Sequence, residues 1–468
     1  MDLTDLSASD LSRRIAADEV LPSDVMAAFL DRIARINPRL NAIIGLRDPE
    51  VLLAEARAAD LAPRRGWLHG LPLAVKDLVA VRGIRSTWGS PIFAGHVPAA
   101  DEMLAARLRA AGAILIGKTN TPEFGLGSHT FNPVHGATGN PYAPLLSAGG
   151  SSGGAAAALA ARLVPVADGS DMMGSLRNPA AFCNVYGFRP SYGLVPSDPE
   201  GDSFLHQLAT DGPMARHPED LARLLETLAV PAATDPHSRR PEPYASRLDP
   251  PPPLRIGWLA DWGGAYPTDP GLLETCERAL VALDALGHRV EPLSPPFAAE
   301  RLWDSWITLR SWAVAARLGG LYANPVQRAL LKPEAIWEIE RGQALSAMEV
   351  HRASVIRSDW FTTLARLFES FDALVLPAAQ VWPFPKDWRH PEEIAGRTMD
   401  SYHRWMEVVV PASLAGIPVL AAPAGFGPQG LPTGLQILGP RGGDARLLAL
   451  AAQYHRATDW PGRQPPRL

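Results

Sequence analysis

An α/β fold, with helices on both faces of a sheet, is the architecture this sequence predicts. Two observations carry that prediction. Short apolar runs alternate with segments of helical period along most of the chain. The composition is ordinary for a globular protein: 468 residues, 47% hydrophobic and 20% charged, enough for one large domain or two to three smaller ones.

The elements follow in order. "LPSDVMAAFLDRIARIN" offers Ser23 as an N-cap, with Val25, Met26, Phe29, Leu30, Ile33 and Ile36 at helical spacing. "WLHGLPLAVKDLVAV" (67–81) and "AILIGKTN" (113–120) predict buried strands flanking a helix around "DEMLAARLRAAG". A loop, a Gly/Ser stretch and an Ala-rich helix lead to "RLVPVADGSD", an apolar strand ending in a turn. Residues 231–253 are proline-rich and polar, the one clear linker candidate. "LRIGWLADW" then predicts a strand. "DPGLLETCERALVALDALGHRVEPL" predicts a helix, with Pro270 near its start and Gly287 at its end, followed by another strand. Residues 300–370 look mostly helical and are rich in Trp and Leu, and the C-terminal part predicts strand, turn, helix.

The uncharged run from Val408 to Pro428 is long enough to span a bilayer. Pro411, Pro418 and Pro423 interrupt any helix there, so the expectation is a helix end, a short buried strand and a glycine-containing loop. A net charge of −5, with no run of five or more like charges, argues against nucleic acid as a partner. Cys183 and Cys276 form neither a CxxC nor a disulfide framework, and the acidic N-terminus lacks a signal-peptide layout. A cytoplasmic location is expected.

Residues 147–161, "SAGGSSGGAAAALAA", set two serines among four glycines before a helix former. Glycines ahead of a helix can cradle an anion, but the Lys-Ser/Thr ending of a nucleotide loop and a GxGxxG are both missing. GxSxG matches twice, centred on Ser151 and on Ser152, and cannot choose between them. A nucleophile elbow also needs an acid and then a histidine; His351 and His403 follow, neither in a motif that recommends it. A structural glycine turn remains open.

Lys76 in "LPLAVKDLVAV" has apolar neighbours on both sides. Burial disfavours its charged form and makes it a candidate base; pairing with Asp77 or snorkelling to water is the alternative. In "DGSDMMGSLRNPAAF" (168–182), Ser175 offers a hydroxyl nucleophile. The backbone N–H groups of Met172, Met173, Gly174 and Ser175 offer an oxyanion hole. A polar turn with Asp171 held by Arg177 is the plainer reading.

Together these stretches resemble the amidase signature family of serine hydrolases. Lys76 in "AVKD", Ser151 in "GGSSGG" and Ser175 in "GSLRNPAAF" match that family's Lys–cis-Ser–Ser triad, with a 24-residue step from Ser151 to Ser175. "IGKTNTPEFG", "NPYAP", "GFRPSYGLVP", "PASLAGIPVLAAPAGF" and "GLQILGPRGGDARLL" follow in the family's order.

The resemblance implies one large α/β domain with a central mixed sheet. In it, 1–60 would be a helical segment packed on the core, 61–230 the catalytic core, 231–253 a loop, and 254–468 the remainder. The helical 300–405 segment would line the substrate pocket.

For the site, the resemblance implies Lys76 as base, Ser151 as relay in a cis peptide with Gly150, Ser175 as nucleophile, and Ser152 as a supporting hydrogen-bond donor. Asp171 and Arg177 would support the turn. No metal or organic cofactor is called for. The partner would be a small-molecule amide, with no nucleic acid and no membrane; a homodimer is left open.

Where the family usually has Gly-Gly-Ser, this chain has Met173-Gly174-Ser175. A positive φ at position 173 would strain a side chain there by roughly 1–2 kcal/mol; otherwise Met172 and Met173 would line the acyl pocket. Asn178 stands where the family is often apolar. Trp303, Trp306, Trp312, Trp360, Trp382, Phe384, Trp388 and Trp405 either pack the core or line the channel. In the second case they favour an apolar or aromatic amide, anilide, ester or carbamate.

Overall fold

The computed structural model describes residues 2–198 and 201–468. The N-terminal part is helical: α1 (Ala8–Ala16), α2 (Pro22–Leu40) and α3 (Pro49–Leu61). Ser23 does not cap α2. The helix begins one residue earlier at Pro22, whose fixed φ suits the first turn, and the Ser23 N–H donates to Asp60 Oδ1 at 2.9 Å.

A three-stranded sheet carries the first part of the site. It joins β1 (Ile43–Ile44), β2 (Pro72–Lys76) and β3 (Ile114–Thr119) in the order β1-β3-β2, with β2 and β3 parallel. The helix α4 (Met103–Ala110) lies between β2 and β3 in the chain. The strand expected over 67–81 is thus only its central five residues; Gly70, at φ +75°, and the turn after Lys76 bound it.

The main sheet is mixed and eight-stranded. Its strands are β4 (Val166–Asp171), β5 (Tyr186–Arg189), β6 (Thr210–Ala215), β7 (Arg255–Trp258), β8 (Arg289–Pro292), β9 (Ala373–Pro377), β10 (Val419–Phe426) and β11 (Pro432–Leu438). They run in the order β8-β7-β9-β11-β10-β5-β6-β4, with β7 parallel to β8 and β9 and the other neighbours antiparallel. The strands before and after the proline-rich 231–253 stretch therefore share one sheet.

Helices cover the sheet: α5 (Gly153–Ala160), α6 (Arg177–Cys183), α7 (Pro218–Leu228), α8 (Leu272–Ala285), α9 (Ala299–Ala323), α10 (Pro333–Gln343), α11 (Ala347–Leu367), α12 (Val410–Ala415) and α13 (Asp444–Thr458). Helix α5 is buried on every side, as its small apolar residues all round require. The run from Val408 forms α12, with Pro411 in its first turn, and then buried β10. Among the described residues no helix is long and apolar enough to cross a membrane. Cys183 and Cys276 are both buried and unpaired.

Candidate active site

Three segments far apart in the chain meet at one end of α5. Strand β2 ends on Lys76, whose N–H lies 3.2 Å from both carboxylate oxygens of Asp168 on β4. The Gly/Ser stretch enters α5 beside it, with a cis peptide between Gly150 and Ser151. The glycines serve close packing: a Cβ on Gly154 would lie 2.2 Å from the backbone nitrogen of Asn120. Several N–H groups of this stretch are already engaged. Gly153 donates to Thr130 Oγ1, Gly154 to the Asn120 carbonyl and Ser152 to the Ser175 carbonyl.

Lys76 is fully buried, and its Nζ is surrounded by hydroxyls: Ser151 Oγ at 2.8 Å, Ser152 Oγ at 2.9 Å and Ser170 Oγ at 2.9 Å. Burial pulls its pKa down from 10.5 to about 7 against the opposing pull of Asp211, Asp168 and Asp171. Asp77 is not its partner; that carboxylate accepts the Thr87 N–H at 3.0 Å. Sequence reading passed over Ser170. The signal was available in β4, where Asp168 and Ser170 are two residues apart and so share a face.

The turn after β4 is built on Asp171. Both Arg177 and Asp171 are fully buried, joined by Arg177 Nη2–Asp171 Oδ1 at 2.9 Å and Nε–Oδ2 at 3.0 Å. Asp171 also accepts the N–H of Gly174 at 2.9 Å and of Leu176 at 3.1 Å. Burial pushes its pKa up, but Arg177, Arg189 and these hydrogen bonds outweigh that and bring it to about 2.

The anchor has a consequence for the expected oxyanion row. The Gly174 N–H points into Asp171, leaving the N–H groups of Met172, Met173 and Ser175. The positive φ in this turn falls on Gly174, at +79°, and not on Met173, so the methionine carries no left-handed strain. Met173 is buried in the core; only Met172 faces the cavity. Nothing in the structure explains Asn178, whose side-chain amide is buried without a hydrogen bond.

Ser151 and Ser175 line one cavity of about 430 Å3, together with Ser170 and Met172. No hydrogen bond joins Ser175 Oγ to Ser151 among the described residues. Leu78, Phe124, Leu126, Val314 and Leu318 supply apolar walls, and His206, Arg310, Arg317 and Asp202 supply polar groups.

None of the tryptophans lines this cavity. Trp306, Trp360 and Trp405 are buried in the core, Trp312 packs on His206, and Trp382, Phe384 and Trp388 surround a separate cleft. Of the 300–405 segment, only α9 contributes, through residues 310–318. His351 is exposed on α11, and His403 is buried against Tyr402 and Glu338, so neither reaches Ser175.

The protein-family model for Amidase matches residues 24–448. An acylamidase of Rhodococcus erythropolis is 33% identical, the match covering 98% of this chain and 97% of the relative. A glutamyl-tRNA(Gln) amidotransferase subunit of Thermus thermophilus is 37% identical over 96% of this chain and 97% of its own. Among solved structures, a bacterial aryl acylamidase of the amidase signature enzymes superposes with a TM-score of 0.91 at 27% identity, covering 98% of this chain and 99% of that one. The 6-aminohexanoate cyclic dimer hydrolase gives 0.88 at 28% identity, covering 99% of each. A match through nearly the whole chain, in sequence and in fold, makes this protein a member of the amidase signature family of hydrolases.

Proposed function

We propose that the chain is a stand-alone amidase that cleaves a carbon–nitrogen bond through an acyl-enzyme on Ser175. The observation that carries this is the 2.8 Å contact between Lys76 Nζ and Ser151 Oγ, on a lysine that burial holds near neutrality, beside the cavity that contains Ser175. Neutral Lys76 takes the Ser151 proton as Ser151 takes that of Ser175. The Ser175 oxygen attacks the carbonyl carbon, and the N–H groups of Met172, Met173 and Ser175 hold the oxyanion. The proton returns through Ser151 to the leaving nitrogen, the C–N bond breaks, and water then hydrolyses the acyl-enzyme. The missing Ser151–Ser175 bond closes on substrate binding; catalytic hydrogen bonds are often long without substrate.

The apolar walls favour an acyl or aryl amide over a charged one, on the strength of Leu78, Phe124, Leu126, Val314 and Leu318 rather than of the tryptophans. Esters and carbamates fit the same chemistry.

A second reading, a glutaminase that works only in complex with partner chains, draws support from the 37% identity to the amidotransferase relative. A third is a binding protein without catalysis. The purified chain alone, assayed on aryl amides, linear amides and carbamates with Ser175→Ala as blank, separates them. Hydrolysis without partners supports the amidase. Failure on every substrate, with a covalent serine probe still labelling Ser175, points to the partner-dependent enzyme. Failure of labelling points to the silent protein.

A further inference from the structure

One part of the cavity wall is the stripe Arg310, Ala313, Val314, Arg317 and Leu318 of α9, spaced by three and four residues. Arg310 is 2% exposed and tightly held. Its Nε donates to Glu338 Oε1 at 2.6 Å and its Nη2 to the Tyr402 hydroxyl at 2.8 Å. Tyr402 donates in turn to Glu338 Oε1, and Ser311 to Glu338 Oε2, each at 2.8 Å. The third nitrogen differs. The partner of Nη1 is the thioether sulfur of Met172 at 3.4 Å, a weak acceptor. A guanidinium nitrogen at a cavity wall thus lacks an oxygen partner, next to the residue that begins the N–H row beside Ser175. A buried donor without a full acceptor is costly, so an arriving oxygen would be favoured.

The surrounding charges select the kind of oxygen. Glu338 is fully buried and ion-paired to Arg310, so this wall presents donors with little net charge. Arg317 and Asp202, one charge of each sign, also line this cavity. A carboxylate would have to shed its water facing an already neutralised guanidinium, with Glu338 behind it. A neutral carbonyl oxygen meets no such penalty.

We propose that Arg310 is a specificity residue that donates through Nη1 to a neutral carbonyl-type oxygen carried by the substrate in addition to the scissile amide. The proposal rests on the amidase reading above. Arg310 replaces the thioether contact by an N–H···O bond and leaves the Glu338 and Tyr402 bonds in place.

The test compares p-nitroanilides of hexanoic acid, of its γ-keto and δ-keto derivatives, and of glutaric acid. In the wild-type protein at least one keto anilide should exceed the hexanoyl and glutaryl anilides in kcat/KM by about tenfold, the worth of one hydrogen bond. Arg310→Met strands the Glu338 charge in the core, so Arg310→Met/Glu338→Gln is measured beside it. In the double variant the keto preference should fall to within about twofold of none. A flat wild-type ratio, a ratio that survives in the double variant, or a preference for glutaryl each overturns the proposal.

Failure of the amidase reading is distinguishable, because none of the anilides would then be hydrolysed. In that event, equilibrium binding of the keto and hexanoyl anilides to Ser175→Ala reads the same ratio without turnover. About tenfold tighter binding of the keto compound supports the proposal, and equal binding overturns it.

Discussion

Lys76 Nζ lies 2.8 Å from Ser151 Oγ, although the two residues are 75 positions apart and belong to different elements. The lysine side chain is fully buried, and that burial is what lowers its pKa to about 7. If neutral Lys76 is the base, kcat/KM rises with pH along a limb centred near 7. Lys76→Ala should lower the rate by roughly 10²–10⁴-fold, with circular dichroism unchanged. The sign for stability follows from the depressed value. Between the unfolded 10.5 and the folded 7 the unfolded chain binds the extra proton, so stability falls as pH drops through that range. Denaturation at the two ends of the range should show a smaller pH effect in Lys76→Met than in wild type.

Ser151 and Ser175 are assigned different tasks, and the assignment predicts different losses. Ser175→Ala should abolish both turnover and labelling by a covalent serine probe. Ser151→Ala keeps the nucleophile but removes its relay, so labelling should persist at a rate reduced by roughly 10²-fold or more. Equal labelling of the two variants, read by mass spectrometry, would overturn the division of roles.

Asp171 and Arg177 form a fully buried pair that also anchors the Gly174 and Leu176 N–H groups. Removing Arg177 leaves the buried carboxylate with the more distant Arg189, whose Nε lies 3.5 Å from Oδ1, and without its two guanidinium hydrogen bonds. Arg177→Met should therefore destabilise the fold by about 3–5 kcal/mol, measured by urea denaturation. The pair also sets an acid limit. Asp171 has a folded pKa of about 2 against 3.8 unfolded, so its contribution is complete above 3.8 and is lost as pH falls towards 2.

Met173 stands where a glycine is usual, and its backbone needs no glycine, since the positive φ belongs to Gly174. Its side chain fills core space. Met173→Gly should bring no gain in activity and should destabilise by about 2–5 kcal/mol, as cavity-forming methionine truncations do. A gain in kcat without loss of Tm would contradict this.

Local residue patterns revealed most of the elements, and motifs revealed the family. Periodicity placed α2, α8, β7 and α13, because a helix face or a strand face is written in local spacing. Motifs in chain order named Lys76, Ser151 and Ser175, and the prolines of 408–428 argued against a membrane span before any fold was known. Long-range partners decided the rest. Ser170 joined the lysine because the last residues of β4 and β2 lie together, and Asp171 captured the Gly174 N–H because the turn closes over a buried ion pair. Trp303, Trp306, Trp360 and Trp405 went into the core and Trp382 and Trp388 to a separate cleft, and α9 turned aliphatic side chains and Arg310 to the cavity instead. Local spacing says which residues share a face; only the packing of one element on another says what that face meets.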